Sequence, residues 1–155
     1  MLSTVEKVLI LKTVPMFSQT PDNVLADVAN LLEQVDVSEN ETIFREGDVG
    51  DDMYVILDGK VRVHNDERLV NDLGEREVFG EMALLDPEPR SASVTALEAT
   101  RLFRLNQGSF YKLMEERPEV ARGIIHILTA RLRNVMRDNH RLDARLRELE
   151  GKGRA

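Results

Sequence analysis

The dipeptide Asp58-Gly59 constrains this chain more than any other feature. It separates two apolar runs, Met53 to Leu57 and Val61 to His64, in which side chains alternate with a period of two. Asp-Gly between such runs predicts a two-residue hairpin, because both central residues of the favoured turn need positive φ. The same period holds from about Val35 to Asn106. A turn is expected at Asn65 to Glu67, and further strands at Arg68 to Leu73, Ser93 to Leu97 and Thr100 to Asn106. Short strands at regular spacing predict a closed or sandwiched antiparallel sheet, a β jelly roll.

Helical spacing flanks this block on both sides, so the class is α+β. Leu2, Val5, Val8 and Leu9 recur as one face of an amphipathic helix, which Pro15 ends. Thr20 is placed as the N-cap of a second helix, with Pro21 at its first position and Asp22 in its first turn. Val24, Leu25, Val28, Leu31 and Leu32 are its core stripe. Asn106 is expected to cap a helix carrying Phe110, Leu113 and Met114, and Pro118 to start another. The resulting division is N-terminal helices over 1–35, a β-roll over 36–106, C-terminal helices over 107–150 and a frayed tail over 151–155.

The chemistry concentrates in Phe79 to Ser93, which reads F-G-E-M-A-L-L-D-P-E-P-R-S-A-S. Gly80 lets a backbone approach a ligand with no Cβ in the way. Glu81 to Leu85 suit one helical turn, whose free amides and positive dipole end attract a phosphate. Arg90 offers a planar fork of donors that matches two phosphate oxygens. An ionised Glu81 only accepts hydrogen bonds, so its natural partner is a sugar hydroxyl. Pro87 and Pro89 stiffen the loop that presents Arg90. The plain alternative is a surface ion pair between Glu81 and Arg90 that merely closes the loop.

This pattern resembles the phosphate-binding cassette of cyclic nucleotide-binding domains, the family that includes regions of catabolite activator proteins and protein kinase A regulatory subunits. A second resemblance lies in Glu46 to Val63 (E-G-D-V-G-D-D-M-Y-V-I-L-D-G-K-V-R-V), where Gly47, Gly50 and Gly59 stand at the family's chain turns. Together the two cover the chain from about Val14 to Val135. The resemblance implies a ligand, cyclic AMP or cyclic GMP. It places Gly80 and Glu81 on the ribose 2′-hydroxyl, Arg90 on the cyclic phosphate, and the amides of Ala83 and Ser91 beside that phosphate. Phe79, Met82, Leu84 and Ala92 complete the cassette. It also implies that the last helix closes over the nucleotide, bringing Arg131 and Val135 to it. Catabolite-activator-like factors meet adenine there with a hydroxyl-bearing pair, whereas this chain has Val135 and Met136. Ser91 follows the arginine, where cyclic-AMP-selective kinase domains carry alanine and cyclic-GMP-selective ones threonine. Cyclic AMP is the first expectation, and a serine excludes neither.

The last helix carries a heptad seam. Ile125, Leu132, Asn139 and Leu146 fall at positions a, and Leu128, Val135, Leu142 and Leu149 at positions d. Eight members without a slip predict a coiled coil, and the single Asn at a favours a parallel pair in fixed register. The first two turns are expected to pack on the chain's own domain and the remainder to join two copies. Arg133, Arg137, Arg141 and Arg145 recur every fourth residue as a solvated basic face, or one touching acidic lipid or protein.

Several function classes are excluded on composition. Without cysteine there is no disulfide, thiolate zinc site or cysteine nucleophile. A net charge of −7 opposes general nucleic-acid binding, so any anion site must be local. The three histidines, His64, His126 and His140, lack the clustering of a cupin-type metal site, so no metal is expected. Ser91 and Ser93 have neither a nucleophile elbow nor a base, and no enzyme is expected. No helix-turn-helix is expected within the residues that follow the long helix's start, whether the sequence is a fragment or the regulatory end of a larger protein. The expectation is a cytoplasmic regulatory domain, dimeric through its last helix, serving a fused or partner effector such as a channel, transporter or enzyme.

Overall fold

The computed structural model describes residues 2–66 and 70–153. Its strands form two four-stranded antiparallel sheets. One has the order β1 (Glu33–Val37), β8 (Thr100–Asn106), β3 (Asp52–Asp58), β6 (Val78–Phe79). The other has β2 (Thr42–Phe44), β7 (Ser93–Ala96), β4 (Val61–His64), β5 (Val70–Leu73). The jelly-roll expectation therefore holds, with Glu67 to Leu69 of the expected turn and strand lying outside the described residues.

The hairpin at Asp58-Gly59 does not form. β3 and β4 belong to different sheets, and the dipeptide is the corner between them. Both edges of β3 are taken, by β6 on one side and β8 on the other, so β4 has nowhere to pair. Only Gly59 has positive φ, at 110°, where the hairpin turn requires it of Asp58 too. Thr100, 3% exposed, receives the corner. The Lys60 amide donates to its hydroxyl at 3.2 Å, and the Leu97 amide donates to the Lys60 carbonyl at 2.8 Å.

β3 is buried on both faces, which explains its continuous apolar run. Met53 and Val55 join a core beneath the helices with Leu11, Phe17, Leu84 and Phe110. Tyr54 and Ile56 point into the roll with Val61, Phe79, Val94 and Leu102. Each such side chain contributes about 1.5–3 kcal/mol by leaving water.

The buried stripe of α1 and the start of α2 differ from expectation. α1 (Thr4–Lys12) is capped by Ser3, whose hydroxyl accepts from the Glu6 amide at 3.2 Å. Its buried residues are Ile10 and Leu11, while Val5 and Leu9 are exposed. Leu2 and Val8 of the expected stripe are half-buried against the core, but full burial is confined to the last turn, beside the 3-10 turn Pro15–Phe17. α2 (Asp22–Ala29) begins one residue later than Thr20 requires for capping. Pro21 occupies the cap position, and the buried Thr20 hydroxyl makes no hydrogen bond among the described residues. That hydroxyl instead lies 3.3 Å from where a Cβ on Gly123 would stand, on the last helix.

α3 (Glu81–Leu85) is one short turn. α4 (Gln107–Glu116) is capped as expected, with Asn106 Oδ1 accepting from the Ser109 amide at 3.3 Å. α5 (Pro118–Gly153) runs 36 residues, about 54 Å at 1.5 Å per residue. It is helical through Gly153, where fraying is expected from Gly151; residues 154–155 lie outside the described residues. Val120, Gly123 and Ile124 seat it on the domain. Ile125 and Leu128, the start of the heptad seam, are exposed at 62% and 40%, so they do not pack there. The seat is a neighbouring stripe of the same helix, and every seam position down to Leu149 stays open.

Candidate functional site

Arg90 is 7% exposed, which a plain surface ion pair would not produce. Its backbone is pinned first: its amide donates to the Asp48 carbonyl at 2.7 Å, and its carbonyl accepts from the Gly47 amide at 2.8 Å. The guanidinium then lies between two glycines. A Cβ on Gly50 would stand 2.4 Å from Nε, and one on Gly80 2.8 Å from Nη1. Below it is the Phe44 ring, 4.1 Å from Cζ to the centroid, a cation–π seat. Nη2 donates to the Asp52 carbonyl at 2.9 Å.

Among the described residues the Arg90 guanidinium has no ion-pair partner, and Nε is buried without a hydrogen bond. A buried cation whose donors are not all satisfied costs free energy that an arriving anion removes. Glu81 likewise has no partner for its carboxylate among the described residues and makes no ion pair with Arg90. Gly80, at φ 79° and ψ 8°, turns the chain into α3 and sets Glu81 at its first position. Its left-handed φ requires glycine, and so does its crowding, since a Cβ there would also stand 2.9 Å from the Asp52 carbonyl oxygen.

These groups line a cavity of about 380 Å³, within the range of small-molecule sites. Of the residues the sequence proposes, Phe79, Gly80, Glu81, Met82, Ala83, Arg90, Ser91 and Ala92 line it. Leu84 does not: it is fully buried in the core beneath the helices and anchors α3. The Ala83 amide is already engaged, donating to the Gly80 carbonyl at 3.2 Å. Arg131 lines a different cavity of about 320 Å³ on the other side of α3, reached also by Val14, Met16, Arg76 and Ile124. Glu81 and Met82 form the wall the two cavities share. Val135 lines neither and is exposed on α5.

Sequence reasoning missed Phe44, Val63 and Val94, which also line the cassette cavity, and the carbonyls of Asp48 and Asp52 that hold the arginine. Phe44, Tyr54 and Phe79 make an aromatic wall; Tyr54 stacks on Phe79 at 5.0 Å and 14°. Burial is the main cause that raises the Tyr54 phenol above its usual range. Burial also raises the Asp52 carboxyl, partly offset by the Asn106 hydrogen bond. The described residues include no group of His, Cys, Asp or Glu able to hold a metal. Nor do they include a helix long and apolar enough to cross a membrane.

Roll, buried arginine and a carboxylate with no partner among the described residues together define a β-roll module with one cavity that carries both charges. The chain belongs to the cyclic nucleotide-binding domain family, whose profile matches residues 34–117. It is 30% identical over 129 residues to the CRP-like cAMP-activated global transcriptional regulator of Mycobacterium tuberculosis, covering 80% of this chain and 58% of that protein. It is 34% identical over 116 residues to the cAMP-dependent protein kinase regulatory subunit of Dictyostelium discoideum, covering 70% of this chain and 34% of that one. The chain thus spans less than two thirds of either curated relative. Among solved structures, the N-terminal domain of a transcriptional regulator from Streptomyces coelicolor matches with a TM-score of 0.75 and 34% identity, over 83% of this chain and 94% of that one.

Proposed function

We propose that this chain is a non-enzymatic, cytoplasmic sensor domain that takes cyclic AMP in preference to cyclic GMP and relays occupancy through its helices. The observation that carries the reading is Arg90, a buried cation with no counter-charge among the described residues, beside a Glu81 that has no partner among them, in one cavity. The phosphate meets Arg90 at one end and the ribose 2′-hydroxyl meets Glu81 at the other. Ser91, exposed on the same cavity, stands closest to the question of the base. The names of the two curated relatives support cyclic AMP. Competition calorimetry with both nucleotides tests it, and tighter binding of cyclic GMP by about tenfold, roughly 1.4 kcal/mol, overturns the preference.

Glu81→Gln is expected to weaken cyclic AMP binding by about 1–3 kcal/mol, because the hydrogen bond to the hydroxyl loses its charge assistance. Unchanged affinity by calorimetry removes Glu81 from the ribose.

The relay uses α5. Its open seam from Ile125 to Leu149 is proposed to pair with a second copy, with Asn139 setting the register. Neither proline nor glycine interrupts the helix between these positions, so a shift at one end is transmitted to the other. The effector is a fused or partner channel, transporter or enzyme. Nucleotide is expected to change the dimer dissociation constant by about 1–3 kcal/mol, and Asn139→Leu to change nucleotide affinity reciprocally. Sedimentation with and without ligand reads this. Identical constants make the helix a tether only, with signalling leaving through the N-terminal helices.

A further inference from the structure

α3 is a single turn, too short to be stable alone, and its last carbonyls have no partner within the helix. α4 supplies the partners. Gln107 Nε2 donates to the Leu84 carbonyl at 3.0 Å and reaches the Ala83 carbonyl at 3.4 Å. The Tyr111 hydroxyl donates to the Leu85 carbonyl at 2.6 Å. Four residues apart on one helix, the two side chains share a face.

The same first turn of α4 also holds the strand that holds Arg90. The Gln107 amide donates to the Asp51 carbonyl at 3.1 Å, and Asn106 Nδ2 donates to Asp52 Oδ1 at 3.2 Å. The Asp52 carbonyl in turn accepts from Arg90 Nη2. One end of one helix therefore brackets both poles of the cavity, the arginine through Asp52 and the glutamate through α3.

We propose that Gln107 and Tyr111 are positioning residues that fix the reach from Glu81 to Arg90 and so set how strictly the site requires a hydroxyl beside the phosphate. This rests on the reading above that Glu81 meets the ribose 2′-hydroxyl. The two poles are held unequally. Arg90 keeps its seat on Phe44 and its backbone bonds to Asp48 and Gly47 whatever α3 does. α3 is held at its far end by the bonds from α4 and by Leu84. Loosening that end moves Glu81 against a fixed arginine, which lowers selectivity for the hydroxyl more than affinity for the phosphate.

The test measures dissociation constants of cyclic AMP and 2′-deoxy cyclic AMP by calorimetry for the full chain, Gln107→Met, Tyr111→Phe and the double variant. Methionine keeps length and helix propensity without a donor. The full chain is expected to prefer cyclic AMP about tenfold, the worth of one charge-assisted bond. Gln107→Met lowers that preference by about fivefold and the double variant nearly abolishes it, while affinity for the deoxy ligand changes less than about twofold. Tyr111→Phe, which removes one oxygen only, moves the ratio in the same direction and gives an independent reading. Equal losses for both nucleotides, or an unchanged ratio in the double variant, overturn the proposal and leave the function reading intact. A full chain that binds neither nucleotide overturns both.

Discussion

Arg90→Ala lowers cyclic nucleotide affinity by about 2–5 kcal/mol, the loss expected when one partner of a desolvated, charge-assisted pair is removed. That is roughly 30-fold to 4,000-fold in the dissociation constant. The fold is expected to survive, because the loop's backbone bonds from Gly47 and to Asp48 do not involve the side chain. Two effects oppose each other in stability. The bond to the Asp52 carbonyl and the contact with Phe44 are lost, but so is a buried cation whose Nε has no partner among the described residues. Thermal stability should stay within about 1 kcal/mol of the parent. Arg90→Lys keeps the charge without the planar fork and should recover only part of the affinity. Unchanged affinity in Arg90→Ala, measured by calorimetry on folded protein, removes the arginine from the site.

Gly59→Ala is the substitution expected to damage the fold most. The residue sits at φ 110°, and a Cβ there would stand 2.4 Å from Thr100 Oγ1 and 2.7 Å from Thr100 Cα. Backbone strain and overpacking against main chain each cost about 1–3 kcal/mol, so the sum is about 2–6 kcal/mol. For a chain of this size the melting temperature should fall by roughly 5–20 °C. Gly47→Ala is the control: its φ is 88°, but a Cβ there meets nothing within 4 Å. It should show the strain alone. Equal destabilisation by the two variants contradicts the packed corner on Thr100.

The corner also shows where sequence reading stops. Asp58-Gly59 marks a reversal correctly, since glycine's positive φ is a local property. Whether the two strands then pair depends on the edges of β3, which are filled by β6 and β8 from distant parts of the chain. Periodicity has the same limit in α1, where spacing marks Leu2, Val5, Val8 and Leu9, of which Leu2 and Val8 touch the core while Val5 and Leu9 stay exposed beside the buried Ile10 and Leu11. Thr20 fails as a cap because Pro21 displaces the helix start by one residue.

The cassette was legible because its chemistry is contiguous: Gly80, Glu81 and Arg90 carry their roles in residue type and spacing. What holds Arg90 was not. Phe44, Asp48, Gly50 and Asp52 reach it across the roll, and no local pattern announces a carbonyl acceptor. Gly50 has a signal in its place within the glycine-marked strands, but its tight fit against the guanidinium arises only when the roll closes. Only the resemblance implies Arg131 and Val135; with α5 seated by Val120, Gly123 and Ile124, Arg131 lines the neighbouring cavity and Val135 is exposed.

The most direct test of the account is amide chemical-shift mapping of the full chain during titration with cyclic AMP. Saturation at one nucleotide per chain is expected, with the largest shifts at Gly80 to Ala83 and Arg90 to Ala92, the two segments that line the cassette cavity. The absence of saturable shifts, or largest shifts around Val14, Met16 and Arg76 in the neighbouring cavity, contradicts it.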